Sequence, residues 1–345
     1  MNHKDTRYAI TSSANQRIQY WDIAKGIAIM LMILGHTEMP SIFRAAIFSF
    51  HMPFFVIANG FFIKSYDRKR TFFRSVRTLL LPYVITCLAS AVLYTLLSGG
   101  NAQPASLFIF KIKAMIGGMS KISTRFHSFD SVWVVWFVCT LFITRNLYVW
   151  IMSYFQKSKW LAYGIICILA YVGYWIGKYY AFLPWSLDVA LVSLIFIATG
   201  DWMHRNHYFD RNVVCTFVIP LVVWVGIMLI FRCYIELAVR SYPGGILSII
   251  EAIAGSIVLI SFSRYAEAIP WLAKFFAWAG ERSMIILGLH CLEMMYFNWE
   301  TWLFAFLPLE MNWFNLFLAK SILILFFTYI ISAWTGTLKK NYAIK

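Results

Sequence analysis

The feature that most constrains this chain is a series of long, unbroken apolar runs. Each approaches the roughly 20 residues that an α-helix needs to cross a bilayer. The 345 residues are 61% hydrophobic and 13% charged, far from the usage of soluble domains. We therefore predict an all-α, polytopic integral membrane protein, a bundle of about ten transmembrane helices. The runs lie at 21–39, 45–63, 78–97, 132–152, 160–177, 183–203, 213–231, 245–263, 283–300 and 314–336.

The same runs exclude other classes of protein. A transmembrane β-barrel would give short segments of alternating hydrophobicity instead. The net charge of +15 is divided into small clusters between the runs, which is not the basic stripe of a nucleic-acid-binding protein. The six cysteines lie in or beside apolar runs without a CxxC pair, so neither a disulfide framework nor a metal site is predicted.

Basic residues predict the orientation. Of the 30 Lys and Arg residues, 20 fall in segments that lie inside if the N-terminus is cytoplasmic, eight fall outside and two fall within runs. This bias predicts that both termini are cytoplasmic. The predicted organisation is a tail at 1–20, a membrane domain at 21–338 and a tail at 339–345.

One connection, the outer loop 98–131, is long. Apolar residues from Phe108 to Met119 recur at helical spacing, while Lys111 and Lys113 are expected to point elsewhere. This pattern predicts an amphipathic helix on the outer membrane surface. A gate for substrate and an ordered loop without a role in chemistry both remain open.

The first run contains two ionisable residues on one helix face. Lys25 and His36 are eleven positions apart, which places them about 16 Å apart along the axis. Charged or titratable groups within a membrane are expensive and therefore suggest function. For Lys25 the alternative is snorkelling to the headgroups. For His36 it is a position at the helix end near the outer headgroups.

The second run places another histidine at a similar depth. His51 lies about 9 Å below the outer edge of the membrane, and a short connection joins the two runs. Two histidines at one level, one able to orient the other, suit general-base catalysis. The alternative is a buried polar pair that holds two helices together.

Basic residues precede the third run. Arg74 and Arg77 share a helix face next to the membrane and could hold a phosphorylated donor by bidentate contacts. A basic cytoplasmic loop that only follows the positive-inside rule is the alternative. Weaker candidates within later runs are Asp188, Glu251 and His290, each a structural partner or a substrate-lining residue.

Several of these residues belong to motifs that resemble the acyltransferase 3 family, most closely its branch of fucose 4-O-acetylases and related O-acetyltransferases. The family's signature of a basic residue, ten residues and a histidine is matched by Lys25 and His36. The motifs are WDIAKGIAI (21–29), LGH (34–36), FHMPFF (50–55), NG (59–60), RSVRTLLLPY (74–83) and, more weakly, VWF (135–137).

This resemblance implies a ten-helix membrane enzyme. It would move an acyl group, usually acetyl, from cytoplasmic acetyl-CoA to a hydroxyl of an envelope glycan or lipid-linked sugar. The resemblance implies His36 as the catalytic histidine, Lys25, Arg74 and Arg77 around the acyl-CoA, and Asn59 and Trp136 among the lining residues. Two positions depart from the family pattern: Lys25 replaces an arginine and Asn59 a serine.

The main prediction is therefore an O-acyltransferase of the bacterial cytoplasmic membrane, with membrane lipid, acyl-CoA and a glycan acceptor as partners. A homo-oligomer is left open. The alternative is a transporter module for an amino acid such as serine, similar to the membrane domain of glycopeptide-resistance serine racemases, because intramembrane histidines suit proton-coupled transport equally well. A structural scaffold would leave the burial of His36 and His51 unexplained.

Overall fold

The computed structural model describes residues 18–98, 103–122, 125, 129–231, 234–304 and 310–343. Within these ranges the chain is helical, without β-strands and with two isolated bridges, Met119 to Ser131 and Glu236 to Ser241. The all-α fold class is confirmed. The predicted tail 1–20 falls largely outside the described residues, and so does the end of the predicted tail 339–345.

The α-helices are numbered α1 to α14 in chain order. A π-helical turn, Val76–Leu80, joins the third and fourth helices into one continuous helix, and another, Val214–Val218, precedes the tenth. The helices are α1 (Gln19–Gly35), α2 (Ser41–Phe61), α3 (Arg68–Ser75), α4 (Leu81–Leu97), α5 (Pro104–Gly117), α6 (Trp136–Tyr154), α7 (Lys159–Tyr179), α8 (Leu187–Val192), α9 (Leu194–Arg205), α10 (Ile219–Phe231), α11 (Ile246–Ala266), α12 (Pro270–Glu281), α13 (Ser283–Tyr296) and α14 (Trp313–Ala343).

The helices long and apolar enough to cross a membrane number seven among the described residues. An eighth is formed if α8 and α9, which are bent by 51°, make one broken span. The other two predicted runs, 21–39 and 283–300, hold the shorter helices α1, of 17 residues, and α13, of 14 residues. A multi-pass membrane protein is thereby supported, whereas the count of ten spans and the orientation of the termini stay predictions.

Helix α1 lies at the centre of the bundle and packs on α2, α11, α12, α13 and α14. Glycine permits the closest of these approaches. A Cβ atom on Gly280 of α12 would lie 1.8 Å from the carbonyl oxygen of Asp22, so only glycine allows the two backbones to cross this closely. The crossing fixes α1, and with it the position of the candidate histidine that follows α1.

Two features differ from the sequence predictions. The segment between α11 and α13, predicted as a plain connection, contains α12, whose 12 residues are too few to span a membrane. The predicted helix in the long loop is confirmed as α5, but Lys111 does not point away from the bundle. Its side chain is buried and forms an ion pair with Asp130 at 2.8 Å, because a buried amine needs a counter-charge.

Candidate functional site

A cavity of about 90 Å³ lies between α1, α2, α6 and α13, under the loop 235–238. This volume holds several water molecules, and most of the lining is apolar, as in many ligand sites. Its polar or ionisable lining residues are His36, His51, Glu236 and Ser283. The remaining lining residues are Ile29, Met32, Phe48, Met52, Phe55, Val134, Trp136, Phe137, Val138, Leu141, Ile235, Leu237, Ala238, Met284 and Leu287.

His36 is the first residue after α1, which ends at Gly35, four residues earlier than the predicted run 21–39. Its Nδ1–H donates to the carbonyl oxygen of Met32 at 2.8 Å. A carbonyl only accepts hydrogen bonds, so the proton is assigned to Nδ1 and the lone pair to Nε2. A half-buried imidazole in this tautomer presents an acceptor nitrogen, as a general base requires.

His51 is held in the same way on α2. Its Nδ1–H donates to the carbonyl oxygen of Ile47 at 3.0 Å, and the side chain is buried. The ring centroid of Phe48 is 4.9 Å from that of His51 and 5.7 Å from that of His36. The structure thus brings both histidines to one cavity, but each is oriented by its own helix and not by the other histidine.

A third histidine, His290, lies next to His36. The ring centroids of His36 and His290 are 5.2 Å apart. His290 Nδ1–H donates to Glu293 Oε2 at 3.1 Å, which leaves the lone pair on Nε2, an atom that is buried without a hydrogen-bond partner. Lys320 Nζ is 3.2 Å from Glu293 Oε1, and Trp299 Nε1–H donates to the same oxygen. A fixed carboxylate therefore sets the orientation of His290.

The predicted donor-binding residues lie at the end of the bundle where α1 begins. Lys25 is half-buried, 3.4 Å from the Asp22 carboxylate and 4.9 Å from the centre of the Phe62 ring. Arg74 on α3 and Arg77 in the π-helical turn are exposed. Helix α3 packs on α6, so the two arginines and Lys25 lie on different helices.

The other predicted residues have different surroundings. Trp136 lines the cavity, but Asn59, Asp188 and Glu251 do not. Asp188 is fully buried in an ion pair with Arg240. Among the described residues, neither carboxylate oxygen of Glu251 has a hydrogen-bond partner, and nor does the amide oxygen of Asn59.

Sequence reasoning missed a buried carboxylate near the basic end. Asp201 on α9 accepts hydrogen bonds from the hydroxyls of Tyr66, at 2.5 Å, and Tyr148, at 2.8 Å, and from Arg205 at 3.0 Å. The sequence did contain a signal for this carboxylate, because Asp201 is an ionisable residue within the predicted run 183–203. Sequence reasoning also missed Glu236, which no predicted run includes. Two side chains that contact Glu293 in addition to His290 were missed as well, Trp299 and Lys320.

Comparison with known families decides the relationship of the chain. The acyltransferase domain model of the acyltransferase 3 family matches residues 18–336, nearly the whole helical bundle. The chain belongs to the acyltransferase 3 family. This confirms the resemblance, and the matched range includes the cavity, its histidines and the basic residues Lys25, Arg74 and Arg77.

Two relatives are similar to part of this acyltransferase 3 chain. Nodulation protein NolL of Sinorhizobium fredii (strain NBRC 101917 / NGR234) is 28% identical over 179 residues, which cover 48% of this chain and 44% of the relative. Nodulation protein NolL of Mesorhizobium japonicum (strain LMG 29417 / CECT 9101 / MAFF 303099) is 25% identical over 170 residues, 45% of this chain and 41% of the relative. The chain thus spans less than half the length of these relatives. No solved structure matches it.

Proposed function

We propose that this membrane protein transfers an acyl group, in the first instance acetyl, from cytoplasmic acyl-CoA to a hydroxyl of an envelope glycan or lipid-linked sugar. The protein would lie in the bacterial cytoplasmic membrane with both termini in the cytoplasm. The observation that carries this proposal is the hydrogen bond from His36 to the Met32 carbonyl beside an apolar cavity. It assigns the proton to Nδ1 and leaves the lone pair of Nε2 to accept a proton. Membership of an acyltransferase family supports the reaction class.

In the proposed reaction, His36 Nε2 takes the proton of the acceptor hydroxyl while the hydroxyl oxygen attacks the thioester carbonyl. The tetrahedral intermediate collapses, the carbon–sulfur bond breaks and the proton passes from His36 to the leaving thiolate. The products are the ester and CoA thiol, so no proton is gained or lost overall. His36 thus acts first as base and then as acid.

The surroundings of His36 suit both steps. His290, fixed by Glu293, limits the movement of the His36 ring, and the carbonyl of Met32 keeps the proton on Nδ1. A ring held in one tautomer and orientation loses less freedom on the way to the transition state. His51 would contact the acyl group or the acceptor from the opposite helix.

The donor would enter from the basic end. Guanidinium groups hold phosphates by paired, charge-assisted hydrogen bonds, which is the role proposed for Arg74 and Arg77. Lys25 lies between this end and His36 on α1, and it would accompany the thioester chain towards the cavity. The phosphates then stay near the membrane surface while the acyl carbon reaches His36.

The proposal is tested with purified protein, radiolabelled acetyl-CoA and a mixture of envelope glycans and lipid-linked sugars. We expect His36→Ala to reduce acetyl transfer about 10²–10⁴-fold, the usual contribution of general-base catalysis. His51→Ala should give a smaller loss. His207→Ala, which removes an exposed histidine paired only with Asp210, is the matched control and should retain full activity.

Near-normal transfer by His36→Ala would contradict the mechanism. Absence of transfer by the wild-type protein, together with serine uptake into vesicles that contain it, would contradict the enzyme and favour the transporter alternative. Unchanged CoA binding by His36→Ala is the control that separates a loss of chemistry from a loss of fold.

A further inference from the structure

Arg145 is a charged residue near the middle of α6, a helix apolar enough to span the membrane. Its side chain is only partly exposed, and its buried Nε atom has no hydrogen-bond partner among the described residues. A buried polar atom is normally hydrogen-bonded, and a buried charge is normally paired. The described residues therefore leave the Nε atom of this guanidinium group without an acceptor.

The described part of the chain does not supply a negative charge to this group. Among the described residues no carboxylate pairs with Arg145, and the charged group that acts on it is another cation, Arg74. The buried carboxylate Asp201 is occupied by Tyr148 and Arg205, among others. Like charges on packed helices disfavour each other, and an anion bound near both would remove that cost.

Arg74 lies on α3, which packs against α6 together with the π-helical turn that follows it. The π-helical turn Val76–Leu80 begins two residues after Arg74. Such turns are rare and often occur at functional sites. The two arginines thus lie on helices that are far apart in sequence but pack against each other.

One face of α6 connects Arg145 to two open regions. Leu141, four residues before Arg145, lines the central cavity. Met152, seven residues after it, lines a cleft with Tyr66, Asp67, Gln156 and Lys159. These spacings keep Leu141, Arg145 and Met152 on one helix face. Arg145 therefore lies about 6 Å from the level of Leu141 and about 10 Å from that of Met152.

We propose that Arg145 and Arg74 together bind a phosphate-ester anion on the path from this cleft to the cavity. The inference rests on the proposed function, since an acyl-CoA that delivers its thioester to His36 carries phosphates behind it. A phospholipid headgroup at the membrane surface offers the same chemistry. Guanidinium groups suit either source because they contact phosphate oxygens in pairs.

The test uses the full-length protein purified in a non-ionic detergent, with CoA as the probe. Arg145→Gln should raise the dissociation constant for CoA at least tenfold by calorimetric titration, and Arg145→Lys should raise it less. Arg211→Gln, which removes an exposed arginine stacked on Trp202 and Tyr208, is the charge-matched control and should bind CoA like the wild type.

Thermal unfolding without ligand provides the second measurement. Removing one of two repelling charges should leave Arg145→Gln at least as stable as Arg211→Gln, and CoA should raise its melting temperature less than that of the wild type. A structural arginine would give the opposite result. A ligand-free Arg145→Gln protein several degrees less stable than the control would overturn the proposal.

Native mass spectrometry with added phosphatidylglycerol distinguishes the two sources. Unchanged CoA affinity with loss of bound phosphatidylglycerol in Arg145→Gln supports the anion site and assigns it to a lipid headgroup. Unchanged binding of both ligands overturns it. Wild-type protein that binds CoA through Arg145 but transfers no acetyl group would contradict the proposed function and leave this binding site standing.

Discussion

Two arginines within the bundle, Arg240 and Arg145, have opposite surroundings. Arg240 is 4% exposed and contacts Asp188 through two hydrogen bonds, Nε to Oδ2 at 2.7 Å and Nη2 to Oδ1 at 3.1 Å. Its Nη1 donates to the carbonyl oxygen of Ala238 at 2.9 Å and to the hydroxyl of Ser120. Arg145 has a buried Nε atom without any such partner.

The difference shows how a buried charge reveals its role. Asp188 and Arg240 satisfy each other, and the pair holds the loop that carries Ala238 against the cavity. No described residue supplies an acceptor for the Nε atom of Arg145. A missing acceptor is the condition expected of a ligand site. Both residues are ionisable groups in a largely apolar chain, so composition alone does not distinguish them.

The largest expected loss of stability comes from breaking the ion pair of Asp188 and Arg240. Arg240→Gln leaves the Asp188 carboxylate buried without its counter-charge, which should destabilise the protein by about 3–5 kcal/mol. Chemical unfolding monitored by tryptophan fluorescence measures this loss. Arg145→Gln, measured in parallel without ligand, should show no comparable loss. A change below about 1 kcal/mol for Arg240→Gln would remove the contrast between the two arginines.

A smaller effect is expected at the carboxylate behind His36. Glu293→Gln keeps the shape of the side chain but removes the charge that holds His290 and Lys320. We expect kcat for acetyl transfer to fall about tenfold, equivalent to about 1.4 kcal/mol, with the KM for acetyl-CoA unchanged. Steady-state kinetics measure both constants.

The double variant Glu293→Gln/Lys320→Met is its control. It removes the buried amine that Glu293→Gln leaves unpaired, so it should recover stability but not kcat. Recovery of both would show that Glu293 serves the fold alone.

The smallest effect is expected at an ion pair that is less completely buried. Lys111 and Asp130 are 2.8 Å apart, but the Asp130 side chain is 22% exposed. Water screens such a pair, so Lys111→Met should lower stability by no more than about 1 kcal/mol. The same unfolding experiment measures it. If Lys111→Met lost as much stability as Arg240→Gln, the exposure of Asp130 would not explain the size of the loss.

Much of the fold could be predicted because it depends on local sequence. Each of the ten apolar runs contains helix, since apolar length and helical spacing are properties of one segment. Helix α12 was missed because its 12 residues are shorter than a span. The end of α1 was placed too late, because the predicted run included the polar residues His36, Thr37 and Glu38 while the backbone leaves the helix at His36.

The candidate site could be predicted only in part. His36 and His51 were found because each is an ionisable residue in an apolar run, and the structure brings both to one cavity. The roles of Trp299, Lys320 and Glu236 could not be found in this way. They depend on which side chains meet across helices, which no spacing within one segment reports.

The sequence by itself therefore determined that the chain is a series of apolar helices suited to a membrane and that a few ionisable groups lie within apolar runs. The side of the membrane on which the basic residues lie stays a prediction. Tertiary structure alone decided the partners of those groups. Asp188 meets Arg240 over 52 residues and Asp201 meets Tyr66 over 135. The physical reason is that the energy of a buried charge depends on the atoms packed around it, and these come from distant segments of the chain.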